Sequence, residues 1–325
     1  MKDLLDNLTN PETFNNLDSI SKKMISECKK QYDDNKNIPP NLYSKYIQVV
    51  SQSEQTWQKA KSDNDFKTMV PYLKEIIELT KEMYSYSKPN VDTYNALLDD
   101  YEKGITENQL DTIFKELKEG TIPLIEAISK KDKVNQHIFN GHYPIHLQER
   151  LSNYFLDVIN FDFKSGCLSQ SEHPFTTGIN SPYDVRITTN YDINDIRSSL
   201  FSVLHEGGHA IYEQNINPKL VGTRLNTGAS MGIHESQSRF YENIIGRNLS
   251  FWKKHYNKVC EILPSYSNIS LNKFYKGINS VEPSLIRIDA DELTYNLHVI
   301  IRFELEKALF SGNLEVKDLS TAWND

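Results

Sequence analysis

His205 and His209 stand four residues apart in Phe201–Gln214 (FSVLHEGGHAIYEQ), with Glu206 directly after the first. On an α-helix, residues at that spacing lie one above the other on one face, so both imidazoles can point at one metal ion. Glu206 is then placed to take a proton from a water beside that ion. Zinc suits the arrangement, because it accepts neutral imidazole nitrogen and carboxylate oxygen and keeps one position open. The bland alternative is a polar helix face that carries two histidines and a carboxylate. Two features favour the metal. Asp195 is placed to cap a helix whose apolar residues fall at 196, 200, 203 and 204, which is helical spacing. Gly207 and Gly208 each cost about 1 kcal/mol of helix propensity, which predicts something close to the backbone there, such as a substrate strand.

A catalytic zinc needs a third protein ligand. Glu235, 26 residues beyond His209 in Gly232–Asn243 (GIHESQSRFYEN), leaves room for a turn and the start of a second helix. Two histidines and a glutamate form a known catalytic set in metallopeptidases. His234 is the rival ligand. Neighbouring helical residues point about 100° apart, so one of the pair faces the metal and the other supports the site. Arg239 and Glu242 follow four and seven residues after Glu235, and Glu242 is a candidate to hold a ligating histidine in orientation.

Together, HEGGHAIYEQ and GIHESQSRFYEN resemble the M32 metallocarboxypeptidases, the carboxypeptidase Taq family. The resemblance implies that His205, His209 and Glu235 hold the metal. It extends to further motifs. His173-Pro174-Phe175 resembles the family's H-P-F motif, and Asp184–Thr189 its D-x-R-I-T-T motif, an element that lines the groove. Arg186 is thereby a candidate to grip substrate, with a salt bridge to Asp184 or Asp192 as the structural alternative. His173 is a further candidate at the substrate groove, with a structural hydrogen-bonding role as its alternative. Ile286–Glu292 (IRIDADE) matches the family's I-R-x-x-A-D motif. A carboxypeptidase must recognise a free carboxylate, which arginine does with two parallel hydrogen bonds. Arg287 is the candidate for that anchor or for support beside it; the alternative is an ion-pair cluster with Asp289, Asp291 and Glu292.

The elements that must position these groups are mostly helical. Apolar residues recur at helical spacing over roughly 12–34, 41–62, 92–102, 107–131 and 146–161, and Asp65 is placed to cap a helix through Leu79. Residues 165–194 change character: Thr, Gly and Asn are frequent, and 184–189 alternates like a strand. This predicts a small antiparallel sheet feeding the metal helix, able to offer backbone groups to an extended peptide. Helices follow through Ile245, over Phe251–Leu263 and Leu271–Ile278, and from the IRIDADE stretch through Ile301. No repeat, low-complexity tract or Gly/Ser linker marks a boundary. The expectation is one mainly α domain over 1–325: a helical scaffold to about 164, a small sheet to 194, then the metal site and C-terminal helices. The resemblance makes it an M32-like (gluzincin) fold with a groove between helical walls.

Composition narrows the class. With 36 Lys+Arg against 44 Asp+Glu the net charge is −8, which offers no footprint for nucleic acid or anionic membranes. Cys28, Cys167 and Cys260 are scattered and odd in number, which predicts reduced thiols in the cytoplasm. The N-terminus lacks a signal-peptide pattern, and no apolar run approaches about 18 residues, so no membrane span is expected.

The chain stops at Trp323-Asn324-Asp325, before the family's G-x-x-Q-D-x-H-W motif, which resembles part of the substrate site. A fragment or a shortened member is the expectation. The implied activity is that of a zinc metallocarboxypeptidase (cobalt a possible substitute) that releases single C-terminal residues from peptides, as a homodimer. Two alternatives stand beside it: a truncated, catalytically impaired metal-binding scaffold, and an endo-acting oligopeptidase with the same centre.

Overall fold

Side-chain caps and proline placement set the order of helices along the chain. The computed structural model describes residues 1–287 and 290–324; Ile288, Asp289 and Asp325 lie outside the described residues. The chain divides into two compact units, Met1–Gly120 with Tyr295–Asp325, and Thr121–Thr294; the first boundary falls inside a helix and the second at the start of another.

Helices are the only regular secondary structure among the first unit's described residues. Its helices are α1 (Lys2–Leu8), α2 (Pro11–Asn15), α3 (Ser19–Asn35), α4 (Pro40–Ser62), α5 (Val70–Ser87), α6 (Thr93–Tyr101), the first part of α7 (Glu107–Ser129), α13 (Tyr295–Ser311) and α14 (Leu319–Asn324). The single helix expected over 12–34 is two, because the Asp18 carboxylate accepts the Ile20 and Ser21 N–H groups and starts α3 afresh. Asp65 does cap, but it starts a short 3₁₀ turn, Phe66–Met69, that leads into α5. The core between α4 and α5 is small: Leu42, Val49, Leu79 and Met83.

The second unit carries the larger core. Its helices are α8 (Ile145–Val158), α9 (Ile196–Gln214), α10 (Met231–Arg239), α11 (Leu249–Ile262) and α12 (Leu271–Ile278). Strands β1 (Gly166–Gln170), β2 (Thr176–Gly178) and β3 (Val185–Thr189) form a sheet in the order β1-β3-β2. The sheet is mixed, not antiparallel throughout: β2 runs antiparallel to β3, whereas β1 pairs with β3 in parallel, Gly166 opposite Val185. A parallel pair needs a crossover of a dozen or more residues, and 171–184 supplies it while laying down β2 on the way. Val185, Ile187 and Thr189 point into the core, where the Thr189 and Ser202 hydroxyls meet at 2.6 Å, so β3 is tied to α9.

Trp252, fully buried on α11, organises the aromatic core. Phe155, Phe251 and Phe274 pack edge-on to it, and its indole N–H donates to the Gly246 carbonyl at 2.7 Å. The helix expected to open within IRIDADE starts later, at Tyr295. Asp291 instead accepts the Leu293 and Thr294 N–H groups and closes a turn. No helix among the described residues is long and apolar enough to cross a membrane.

Candidate metal centre

Asp195 starts α9 by accepting the Arg197 N–H at 2.9 Å, and the helix then runs without interruption through both histidines. The glycines inside it do not serve a substrate strand. A Cβ on Gly208 would stand 2.7 Å from Ser238 Cα and 2.9 Å from the Gln237 carbonyl, so the glycine lets α10 lie directly on α9. A Cβ on Gly207 would meet Ile159 at 2.5 Å, on a different packing surface. The approach at Gly208 brings α10's glutamate to the histidines. α10 itself starts where the Ser230 hydroxyl accepts the Ile233 N–H.

The result is a compact donor set. One ligand atom each from His205, His209 and Glu235 lie within 4.8 Å of one another. Glu235 Oε2 stands 3.7 Å from His205 Nε2 and 3.3 Å from His209 Nε2. Two imidazole nitrogens and a carboxylate oxygen converging on one point fit a divalent ion such as zinc. Of the rival pair on α10, Glu235 faces this point and His234 turns behind His209.

The partners behind the ligands are half-buried, apart from Ser238, which is fully buried. His205 Nδ1 meets Glu242 Oε2 at 2.8 Å, as the sequence spacing anticipated for Glu242. Arg239 ties the site together: its Nε donates to Glu235 Oε1 at 3.0 Å and its Nη1 to Glu242 Oε2 at 2.9 Å. Ser238 donates to the Glu235 carbonyl at 2.7 Å. Glu242 sits in a π-helical segment, Phe240–Ile245, that continues α10. π turns inside helices frequently mark functional sites. His209 Nδ1 lies 2.5 Å from His234 Nδ1, and His234 Nε2 lies 2.7 Å from Glu213 Oε1.

Electrostatics follow from the same contacts. Burial pushes the Glu235 carboxyl up, but the His209 contact, the neighbouring His205 while these rings are protonated, and the Arg239 charge outweigh it and hold the group at about 2. Burial likewise raises Glu242, and its hydrogen bond to His205 and the Arg239 charge bring it below the usual carboxylate range. For His205 burial favours the neutral ring; the Glu242 hydrogen bond and charge overcome this and raise it. Both carboxylates are therefore ionised, as metal ligation and ring orientation require.

Glu206 is buried at 7 % exposure, and the Thr176 hydroxyl on β2 donates to its Oε2 at 2.7 Å. Thr176 and Glu213 were not singled out from the sequence. Glu213 had a readable signal, since it falls four residues after His209 on the same helix face. Arg186 makes a two-point ion pair with Asp184, Nε to Oδ1 at 2.9 Å and Nη2 to Oδ2 at 3.0 Å, and is exposed on β3. His173 is exposed in the turn before β2, where its carbonyl accepts the Ser171 hydroxyl. Arg287 is half-buried, and its proposed neighbour Asp289 is outside the described residues.

A helical fold that converges two histidines of one helix and a glutamate of the next defines a metallopeptidase type of centre. Residues 1–325 match the family model for the carboxypeptidase Taq (M32) metallopeptidases, and the chain belongs to that family. It is 46% identical to Carboxypeptidase 1 of Bacillus subtilis over 326 residues, covering 100% of this chain and 64% of that protein. It is 39% identical to Thermostable carboxypeptidase 1 of Thermus thermophilus over 309 residues, covering 92% of this chain and 60% of that one. The crystal structure of the M32 carboxypeptidase from Deinococcus radiodurans superposes with a TM-score of 0.93 at 34% identity, over 99% of this chain and 64% of that one. The chain thus spans less than two thirds of the length of these relatives.

Proposed function

We propose that the chain carries the metal-binding and proton-transferring part of a zinc metallocarboxypeptidase that removes single residues from the C-terminus of peptides. The observation that supports this most directly is the convergence of His205, His209 and Glu235 within 4.8 Å, with Glu206 beside them on the same helix. A divalent ion held by those three residues supplies a Lewis acid for the scissile carbonyl and makes an attacking water more acidic. Glu206 takes the water's proton and delivers it to the leaving amine. The Thr176 hydroxyl fixes Glu206 Oε2, which leaves Oε1 as the oxygen that carries the proton. Glu242 keeps the proton of His205 on Nδ1, so that Nε2 presents a lone pair.

In this reading Arg287 anchors the substrate carboxylate, and Arg186 and His173 belong to the peptide groove; their support is the match of IRIDADE, DVRITT and HPF to the family motifs. Cobalt can replace zinc, the two units are parts of one peptidase domain, and the protein works as a cytoplasmic homodimer.

The test combines zinc content with release of free amino acid from an N-blocked dipeptide. One zinc per chain is expected, with release that falls about 10²–10⁴-fold in Glu206→Gln while zinc is retained. Capping the substrate's C-terminus as an amide should abolish cleavage; continued cleavage would favour an endopeptidase. Zinc bound without release by either protein would mean a scaffold, and no zinc would sink the assignment of the three ligands.

A further inference from the structure

The two histidines are backed differently. On its Nδ1 side His205 meets a carboxylate directly, whereas His209 meets another imidazole there, and that second imidazole meets a carboxylate. We propose that Glu213 and His234 position His209 for the metal, through a carboxylate–imidazole–imidazole relay that fixes the proton of His209 on Nδ1 and leaves Nε2 bare. This rests on the metallopeptidase reading above and extends it to two residues that supply no ligand atom themselves.

Proton counting gives the direction of the relay. An ionised carboxylate only accepts, so Glu213 Oε1 receives the N–H of His234 Nε2. With His234 in its neutral form its Nδ1 holds a lone pair, and the hydrogen shared with His209 Nδ1, 2.5 Å away, is then carried by His209. What remains on His209 is an unprotonated Nε2, the atom 3.3 Å from Glu235 Oε2. The same outcome is reached at His205 with one bond instead of two.

The surroundings of the pair are shaped for it. A Cβ on Gly228 would stand 2.7 Å from His234 Cδ2, and one on Gly178 would stand 2.9 Å from Glu213 Oε2. The Tyr212 ring packs on His234 at 4.9 Å between centroids, and its hydroxyl is pinned by the Ala229 N–H at 3.1 Å. Three separate segments thus leave room for the two side chains or hold them in place. Glu213 also lines an open cavity of about 650 Å³ with Thr176, Asn180 and Arg224, so the relay ends at a solvent-accessible wall.

The experiment uses His234→Phe, Glu213→Gln and the double variant, each checked for native circular dichroism and measured for zinc affinity by chelator competition. Each single variant should weaken zinc about 10–100-fold. Because the relay is serial, the double variant should lose little more than His234→Phe alone. Losses that multiply, or unchanged affinity in His234→Phe, would overturn the relay. Nitrogen-15 shifts of His209 in zinc-free protein, in mildly alkaline buffer, provide a reading that does not need the metal. A proton on Nδ1 that redistributes in Glu213→Gln is expected, and one on Nε2 in the wild type would overturn the proposal. If wild-type protein bound no zinc, the ligand assignment would fail while the nitrogen shifts still judged the relay.

Discussion

Trp57 and Trp252 show how differently the two units use the same side chain. Trp57, on α4, is 47% exposed and its ring lies under Lys61 Nζ at 5.1 Å. Trp252, on α11, is fully buried among three phenylalanines and latches the Gly246 carbonyl just beyond the π segment that carries Glu242. In the first unit, amphipathic helices share small clusters of apolar residues and exposed ion pairs such as Lys23–Glu27 and Lys45–Glu75. Such pairs contribute little. In the second, charges are drawn inside and an aromatic core holds the elements that carry them. Positioning a few polar atoms to within tenths of an ångström requires a stiff surround, and the stiffness is concentrated where the donors converge.

The contrast can be tested by making one substitution in each unit. Trp252→Ala should cost about 3–5 kcal/mol in denaturant unfolding. Trp57→Ala should cost under about 1 kcal/mol, the range of an exposed cation–π contact. Equal costs would end the distinction. Glycine to alanine should even change sign. Gly208→Ala forces α9 and α10 apart, which should cost about 1–3 kcal/mol and weaken zinc binding as Glu235 withdraws. At Gly120, on α7, an added Cβ meets nothing within 4 Å, and the gain in helix propensity should stabilise by about 0.5–1 kcal/mol.

The smallest effect concerns acid. The Gly104 N–H pulls the Asp99 carboxyl down; burial opposes this, Lys88 and Lys103 add to it, and the group is held at about 2. A carboxyl depressed on folding stabilises above its unfolded value of about 4, and that contribution fades as pH falls towards 2. Asp99→Asn should therefore flatten the acid side of the stability curve over that window, and leave zinc affinity at neutral pH unchanged.

The helix carrying His205 and His209 was legible because its cap, period and ligand spacing are all local. Glu242 follows Glu235 by seven residues, again a local spacing, whereas Glu235, 26 residues beyond His209, was read from the need for a third ligand and from the family resemblance. The parallel pairing of β1 with β3 was not, since alternation reveals a strand and its buried face but not its partner's direction. The double glycine was read as room for substrate, when the close neighbours are α10 at Gly208 and the end of α8 at Gly207; a glycine records that something approaches, and only the fold says what. Glu213 escaped because its role depends on His234, which reaches it from another helix.

The π turn at Phe240–Ile245 makes chain length itself part of the site. A π turn holds one residue more than an α turn, so its C-cap, Gly246, is turned by about 100° from where an α-helical continuation of α10 would place it. Glu235 and Arg239 are counted on one side of that shift, and the Gly246 carbonyl that receives Trp252 on the other. Removing any one residue between them, even one whose side chain faces solvent, would restore α-helical phase and turn the latch away from its indole. For this stretch the spacing is as much a determinant as the residues it separates.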